Sequence, residues 1–586
     1  MITPSKSNRR TSFGGVALLC LVLMLIQTPR MVLEWVDVCD VGNQLAKQQS
    51  LFVFHEIRGA VGMTILSDYI GGAWLSLCPS AGILWMRFGG VVLTTLSAGF
   101  SFLILSKSFG PKKAGFAVVV AAALISTIAP YGLLVHYYTV PVLFLSFSLW
   151  ALSITLEIPG VRPLSQAHGW VWVGIGAGGA VFARLPLIVL LIIACCGFVV
   201  EFLRADRSIR AGRLLSFLAF SGGVLLVTFV IFSALATQDL LGDYFRSIMF
   251  CFSPDACNDL YEYSLRSLLP MYFVRGLKAV SIAICLMIGF WTLRYRFPNK
   301  AASFGYIWAS VLACIGFFLG TGGPAQAIQR FREVLVGFII IQCVRHSCLE
   351  WRKGPAFTLI FGSSGLMVLA MALGSTLGLQ PAVWGMFFAL PATFLVLDQT
   401  IGYGTVEHQG YQDRGMVGPA VASLAVIALF CPILSSSLTW RGGTRFSEGA
   451  DYLTYSIPPL KGSRGDSKTV RSVEGLYQYL HEAVSKGDRA VFYNGVGILY
   501  WATQTRCALI SPVLYHSRPN VLECQLERLK DSGNLPRVVV IATRTESANV
   551  PIELLGEYAM IKRCFSMTFG YRIGYTNSVF EVLQAP

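Results

Sequence analysis

The stretch GGVALLCLVLMLIQTPRMVLEWVDVCDVGN, residues 14–43, contains the two features that decide the predicted fold. Its first half, residues 14–26, is an uninterrupted uncharged and mainly apolar run. Three cations precede that run, Lys6, Arg9 and Arg10. Because no small-residue cleavage site follows it, the run predicts an uncleaved first membrane span and not a secretory signal. The second half ends in three carboxylates, Glu34, Asp37 and Asp40.

Composition extends this reading to most of the chain. Of 586 residues, 54% are hydrophobic and only 13% are charged, against about 25% charged in an ordinary soluble domain. Apolar runs recur as far as about Leu434 and then stop. The sequence therefore excludes a soluble enzyme, a disordered chain and a fibrous repeat, and predicts an α-helical polytopic membrane part, residues 1–436, followed by a tail, residues 437–586.

Apolar windows of spanning length predict about thirteen transmembrane helices. Their centres lie near residues 20, 95, 121, 145, 175, 194, 225, 284, 311, 339, 366, 390 and 425. Cationic clusters fall on every second loop, which places the N-terminus in the cytoplasm and the tail on the opposite, outer side. The net charge of +15 is thereby explained by loop orientation, and nucleic-acid binding is discounted.

Three outer segments are long enough to hold a function: residues 32–82, residues 237–276 and the tail. Within the first, Ile65–Leu77 is apolar but too short to span, which predicts a helix at the outer membrane interface. The tail predicts a small α/β domain. Its expected elements are a helix at 470–484 and strands at 490–493, 538–542, 560–569 and 571–582. Cys251 with Cys257, or Cys507 with Cys524, are possible disulfide pairs in an oxidising compartment.

The carboxylates after the first span are the leading catalytic feature. Where two carboxylates converge, one has its pKa raised and can serve as a base, or the group can bind a divalent cation. Asp37 and Asp40 are therefore candidates for catalysis and for a metal site, whereas an ordinary hydrated loop is the alternative.

Several arginines face outward against the orienting rule, which favours an anionic ligand. Arg184, between two apolar runs, and Arg330 with Arg332 are the candidates for a phosphate. Snorkelling of each side chain to lipid headgroups is the alternative. A cluster of His136, Tyr137 and Tyr138 at the outer start of the fourth span, together with Asp68, is predicted to line a substrate.

Six segments together carry a family resemblance. They are DVG at 40–42, SDYIGGAWL at 67–75, RFGG at 87–90, IPPLKG at 457–462, GD at 487–488 and GILYWATQTR at 497–506. They resemble the GT-C superfamily of membrane glycosyltransferases, which includes protein mannosyltransferases and lipid A aminoarabinose transferases. The nearest resemblance is to an uncharacterised bacterial group within that class. No acidic residue stands near Tyr138, where protein mannosyltransferases usually have one, so the resemblance leaves the acceptor class open.

The resemblance implies an enzyme of the bacterial inner membrane with its site on the outer side. There it would move a sugar from a polyprenyl-phosphate donor to a hydroxyl of a lipid, glycan or protein, with inversion. It implies Asp40 as the base and Asp37 as a residue that orients Asp40 or binds a divalent cation, the one cofactor that these residues suggest. Two alternatives stay open from sequence: a transporter or flippase of a lipid-linked or anionic solute, and a lipid-linked oligosaccharide polymerase or ligase.

Overall fold

The computed structural model describes the membrane part and the tail in segments. The described residues are 13–33, 40–57, 59–129, 134–156, 163–252, 265–296, 324–349, 355–373, 375, 379–402, 452–493, 496–509, 519–542, 544–545, 548–551 and 556–586. All structural statements below concern these residues. Asp37 and Cys257, and the predicted span centres 311 and 425, lie outside them.

The membrane part is helical throughout its described length. Its helices are α1 (Phe13–Leu33), α2 (Asp40–Phe52), α3 (Ile65–Leu77), α4 (Gly82–Phe109), α5 (Pro111–Ile128), α6 (Thr139–Leu156), α7 (Pro163–Ala183), α8 (Ile188–Arg204), α9 (Arg207–Thr237), α10 (Leu241–Phe252), α11 (Leu265–Arg296), α12 (Pro324–Leu349), α13 (Pro355–Ala370) and α14 (Met386–Gly402). The other eleven predicted span centres all fall inside these helices. The helix predicted at Ile65–Leu77 is confirmed as α3.

Five of the described helical stretches are long and apolar enough to cross a membrane, as expected of a multi-pass membrane protein. They are Pro79–Phe109, Thr139–Leu156, Leu185–Arg204, Ile209–Thr237 and Gln380–Leu397. Only 6% of the apolar window in Leu185–Arg204 is buried, against 89% in Gln380–Leu397. Leu185–Arg204 therefore lies at the periphery of the bundle and Gln380–Leu397 at its centre.

The tail contains a five-stranded sheet with helices. The elements of the tail are β1 (Tyr452–Thr454), β2 (Arg464–Asp466), α15 (Ser467–Ala483), β3 (Arg489–Tyr493), α16 (Ile498–Thr503), β4 (Arg506–Cys507), α17 (Pro519–Ser532), β5 (Val538–Ala542), β6 (Arg544–Thr545), β7 (Ala548–Pro551), α18 (Gly556–Lys562), β8 (Arg572–Thr576) and β9 (Phe580–Gln584). The strand order in the sheet is β4-β3-β5-β9-β8, in which β3, β4 and β5 are parallel and β8 and β9 form an antiparallel hairpin.

The helix predicted at 470–484 and the strands predicted at 490–493 and 538–542 are observed, whereas two predicted tail segments differ. Residues 560–569 were expected to form a strand, and they form the end of α18 and a π-helical turn, Arg563–Thr568. Ile561 and Phe565, four residues apart, are both buried. This spacing brings apolar side chains to one side of a helix, so it outweighs the aromatic content that favoured a strand. The predicted strand at 571–582 is a hairpin of two strands.

Both suggested cysteine pairs are wrong. Cys251 is buried in α10 and Cys507 is buried on β4, and neither forms a disulfide. Cys524 is disulfide-bonded, although not to Cys507. The Cys507 Sγ donates to the Leu509 carbonyl instead, at 3.5 Å. Burial of a small thiol in a sheet is sufficient to explain this residue without a disulfide.

One hydrophobic core runs from the tail sheet into the membrane part. Buried side chains of β3, β5 and β9 belong to the same cluster as Val41 and Leu45 of α2, and Ile83 and Met86 of α4. Leu134, Val135 and Val140, before and at the start of α6, contribute to it as well. The tail is thus packed directly against the segment that follows α1, which holds the predicted catalytic residues.

Candidate active site

Helix α2 connects the parts of the site through three glutamine side chains. Gln44 Nε2 donates to Asp68 Oδ1 of α3 at 2.5 Å, and Gln48 Nε2 donates to the Val135 carbonyl at 2.7 Å. On the tail side, Gln49 Nε2 contacts the carbonyls of Tyr500 and Thr505 at 3.3 and 3.4 Å. Because buried amides pair with these acceptors, α2 is held in one position relative to α3, the residues before α6, and the tail.

Asp68 is completely buried at the interface of α2 and α3. Its two carboxyl oxygens accept hydrogen bonds from Gln44 and, at 2.7 Å, from Thr64 Oγ1. Burial raises the pKa of Asp68 to about 7, although the positive charge of Lys47 and the two hydrogen bonds act in the opposite direction. Asp68 is therefore a buried acid whose proton is held near neutral pH, and its oxygens are occupied by protein donors.

Arg184 lies immediately after α7 and is 3% exposed. Its Nη2 donates to the Leu373 carbonyl at 2.7 Å. The guanidinium carbon lies 4.5 Å from the ring centroid of Tyr138 and 5.6 Å from that of Tyr137, within cation–π range. The other two nitrogens, Nε and Nη1, are buried and have no acceptor among the described residues.

A hydrogen bond links the neighbourhoods of Asp68 and Arg184. Ser67 Oγ donates to the Ala183 carbonyl at 2.9 Å. Each partner is the chain neighbour of a site residue, so α3 and the end of α7 bring the buried acid and the buried cation into one region. The structure thus brings together Asp68, Arg184, Tyr137 and Tyr138 of the predicted set.

His136 joins this region through its backbone and ring. Its Nδ1 accepts from the amides of Tyr138 and Thr139, both at 3.2 Å, and so caps the start of α6. A nitrogen that accepts two hydrogen bonds carries no proton, which fixes the other ring nitrogen, Nε2, as the protonated one in the neutral ring. The ring also meets Trp384 edge to face, with centroids 5.7 Å apart.

Arg332 of α12 is buried like Arg184 but uses its donors on the protein. Its Nε donates to the Ile128 carbonyl at the end of α5, and its Nη1 donates to Gln380 Oε1 at 2.7 Å. Gln380 and Trp384 share one 3-10 turn, Gln380–Gly385. Trp384 stacks in parallel on Tyr138, with centroids 6.3 Å apart. This turn therefore contacts Arg332 at one end and the aromatic group beneath Arg184 at the other.

The remaining predicted site residues are Asp37, Asp40 and Arg330, and the structure describes them only in part. Asp40 is the first residue of α2, and its side chain lies outside the described part of the structure, as do the side chain of Arg330 and the whole of Asp37. The end of α1, three residues before the acidic segment begins, accepts a hydrogen bond at the Met31 carbonyl from Arg87 Nη1 at 3.0 Å. Arg87 is buried in α4 and so fixes the point from which the acidic segment starts.

No group of three or more His, Cys, Asp or Glu side chains within the described segments is arranged to hold a metal ion. The side chains of the predicted cation ligands, Asp37 and Asp40, lie outside the described part of the structure. The divalent cation accordingly stays a prediction.

The tail approaches α2 so closely that only glycine fits at two positions. A Cβ on Gly42 would lie 2.1 Å from the Ile498 backbone nitrogen, and a Cβ on Gly497 would lie 2.1 Å from Asn43 Oδ1. An ion pair of Glu56 with Arg506, 3.0 Å apart, joins the same surfaces. Beside it lies a narrow cleft. Its lining includes Lys47, Ser50, Phe54, Thr505 and Arg506.

Sequence reasoning missed Gln44, Gln48 and Trp384. The two glutamines are four residues apart in a short helix after an acidic segment, a spacing that indicates one polar helix side. Trp384 follows Gln-Pro-Ala-Val in an otherwise apolar stretch, and only its position in the fold reveals its contact with Tyr138.

No family model and no curated protein matches the chain. Among solved structures, ArnT from Cupriavidus metallidurans bound to undecaprenyl phosphate is similar, with 12% identity, 97% of this chain and 98% of that chain covered, and a TM-score of 0.47. The oligosaccharyltransferase AglB from Archaeoglobus fulgidus, in complex with an inhibitory peptide and a dolichol-phosphate, has 13% identity, coverage of 93% and 71%, and a TM-score of 0.49.

Proposed function

We propose that the protein is a membrane glycosyltransferase that moves a sugar from a polyprenyl-phosphate donor to an acceptor hydroxyl, with inversion, at the outer face of a bacterial inner membrane. The observation that carries the proposal is Arg184. A buried guanidinium with two unsatisfied nitrogens destabilises the folded protein, because each buried donor without an acceptor costs about 1–3 kcal/mol. Binding of an anion removes that cost. A departing phosphate presents the oxygens that a guanidinium binds best.

The chemistry requires a cation for the leaving phosphate and a base for the acceptor hydroxyl. In the proposed reaction, the acceptor oxygen forms a bond to the anomeric carbon while the bond from that carbon to the phosphate oxygen breaks. Arg184 stabilises the negative charge that develops on the phosphate, and Asp40 accepts the hydroxyl proton. Tyr137, Tyr138 and His136 would line the sugar, and Arg330 remains a possible second phosphate ligand.

The placement of α2 supports Asp40 as the base. Positions 40, 44 and 48 are spaced by four residues and so lie along one side of this helix. Gln44 and Gln48 on that side reach Asp68 and the residues before His136. Position 40 therefore begins the side of α2 that faces the buried acid and the aromatic cluster. Asp37 would orient Asp40 or share a divalent cation with it.

The cleft between α2 and the tail is the proposed route for the acceptor. It is bordered on one side by α2 and on the other by Thr505 and Arg506 of the tail. An acceptor that entered here would pass along the helix that starts with Asp40. The proposal leaves the acceptor a lipid, glycan or protein hydroxyl; it includes membrane lipids and excludes nucleic acid as partners.

The direct test is transfer of a radiolabelled sugar from polyprenyl-phosphate donors in membranes that contain matched amounts of each variant. Undecaprenyl and dolichyl phosphate sugars come first, since the two solved proteins named above bind these carriers. Asp40→Asn should reduce transfer by about a thousandfold or more because the base is lost. Asp531→Asn, at an exposed site of α17, is the matched control and should transfer normally.

The same assay separates the alternatives. Full activity of Asp40→Asn would remove the base and favour a polymerase or ligase that depends on arginines. Absence of wild-type transfer across the donor panel would favour a transporter or flippase of a lipid-linked solute, which uses the same outward arginines without chemistry.

A further inference from the structure

Helix α10 presents three different sides around its axis. Tyr244, Ser247 and Cys251 are buried against the protein. Phe245, Met249 and Phe252, spaced by four and three residues, are 47%, 69% and 55% exposed. Between these two sides, Asp243 and Arg246 form an exposed ion pair. This order of protein-facing, apolar and charged sides is typical of a helix that lies in a membrane surface.

The helix is attached on its buried side to the first outer segment. The Gly62 amide donates to Ser247 Oγ at 3.0 Å, and Tyr69 Oη donates to Gln238 Oε1 at 2.7 Å just before α10 begins. Leu51, Val61 and Ile65 pack with Tyr244 in one small core. Since α2 of this segment contacts the tail, α10 lies on the tail side of the bundle.

The exposed apolar side continues a surface that faces lipid. The preceding helix, α9, contains a spanning stretch, Ile209–Thr237, of which only 22% of the apolar window is buried. Phe229 in that stretch is 69% exposed, the same fraction as Met249. The chain leaves α9 at Thr237 and enters α10 at Leu241, through a turn in which Asp239 has a φ of +57°. At about 1.5 Å per residue, α10 is too short to cross a hydrocarbon core of about 30 Å.

We propose that α10 is an interfacial helix whose Phe245, Met249 and Phe252 rest among the acyl chains of the leaflet on the tail side, while Asp243 and Arg246 stay at headgroup level. The lipid bilayer is its partner. Through Gly62 and Tyr69 the helix then fixes the depth of α3, and with it Asp68, relative to the membrane surface. This inference is independent of the proposed reaction.

Photocrosslinking to lipid tests the proposal on the full-length protein. A benzophenone amino acid replaces Met249, and the protein is reconstituted in phosphatidylcholine nanodiscs with radiolabelled acyl chains. The same replacement at Phe229 gives the reference for lipid contact, and at Asp243 gives the matched control on the charged side. Positions 229 and 249 are exposed and position 243 is partly exposed. Size-exclusion profiles report whether each variant is folded.

We expect lipid labelling at position 249 within about twofold of position 229 and at least about fivefold above position 243, because only an acyl environment surrounds the apolar side of an interfacial helix. Labelling at position 249 as low as at position 243 would overturn the proposal. A crosslink from position 249 to protein instead of lipid would also overturn it, and would identify a protein contact on this side.

Discussion

Arg184 and Arg332 are two buried arginines in similar surroundings that use their donors differently. Arg332 has its Nε and Nη1 on the Ile128 carbonyl and on Gln380 Oε1. Arg184 has one hydrogen bond, from Nη2 to the Leu373 carbonyl, and lies on two tyrosine rings with Nε and Nη1 unsatisfied. Burial of an arginine alone therefore does not identify an anion site. A buried cation whose donors meet protein acceptors holds helices together, whereas one with unsatisfied donors is prepared for a ligand.

Of the two arginines, Arg184 should have the larger effect on chemistry. Arg184→Met keeps the apolar stem and removes the guanidinium, so kcat/KM for the donor should fall by about a hundredfold or more. The free energy of unfolding should change less than at Arg332, because the lost hydrogen bond to the Leu373 carbonyl is offset by removal of two unsatisfied donors. Transfer at a series of donor concentrations measures this, with Arg184→Lys as the variant that retains charge and loses the planar fork. An unchanged donor dependence would assign Arg184 a structural role.

The next effect is on stability at Arg332. Arg332→Met leaves the Ile128 carbonyl and Gln380 without their donor, which should reduce the free energy of unfolding by about 2–4 kcal/mol. Thermal unfolding in detergent measures this loss. Transfer per folded molecule should stay within about threefold of wild type, because the proposed phosphate ligand is untouched. Loss of donor affinity without loss of stability would show that Arg332, like Arg184, acts on the donor and not on the fold.

Asp68, in the same region as Arg184, should make the stability of the protein depend on pH. Burial raises the pKa of Asp68 to about 7 in the folded protein, above its ordinary value of 3.8. Between these values the folded state holds a proton that the unfolded state has released, so the contribution is present at low pH and stability falls as pH rises through about 7. Thermal unfolding between about pH 5 and pH 8 should show this decline in wild type.

Asp68→Asn isolates that effect because its amide is neutral at every pH. The decline should flatten in this variant, whereas an unaltered slope would assign the pH dependence to other groups. The amide oxygen can accept from Gln44 Nε2 and the amide nitrogen can donate to Thr64 Oγ1, so the variant should fold.

Much of the fold was readable from sequence, because hydrophobic length and periodicity determine which segments are helices in a membrane. Helix α3 was predicted with its observed bounds, and β5 likewise. Residues 560–569 failed because aromatic composition was read without the four-residue spacing of Ile561 and Phe565. The cysteine pairs failed because spacing along the chain carries no information on geometry in space.

The site was less readable because its contacts join distant segments. Arg184 stands between Ala183 and Leu185, and Arg332 stands between Phe331 and Glu333. Nothing in these flanks shows that one arginine meets Gln380 and the other does not. The segments 40–42, 87–90 and 497–506 resemble a family only as scattered pieces. In the structure, Gly42 meets Ile498, and Arg87 holds the end of α1. Each of these contacts joins segments that are far apart in the chain, so neither could be predicted from the sequence.

The smallest effect tests the aromatic support of Arg184. Tyr138→Phe keeps the ring at 4.5 Å from the guanidinium carbon and should transfer within about threefold of wild type. Tyr138→Leu keeps apolar volume but removes the ring, and it should lose about 0.5–2 kcal/mol of cation–π stabilisation, or roughly twofold to thirtyfold in donor kcat/KM. The same Leu substitution in an Arg184→Met background should cost less, since no cation is left to stabilise. Equal losses in both backgrounds would show that Tyr138 acts through Trp384, on which it stacks, and not through Arg184.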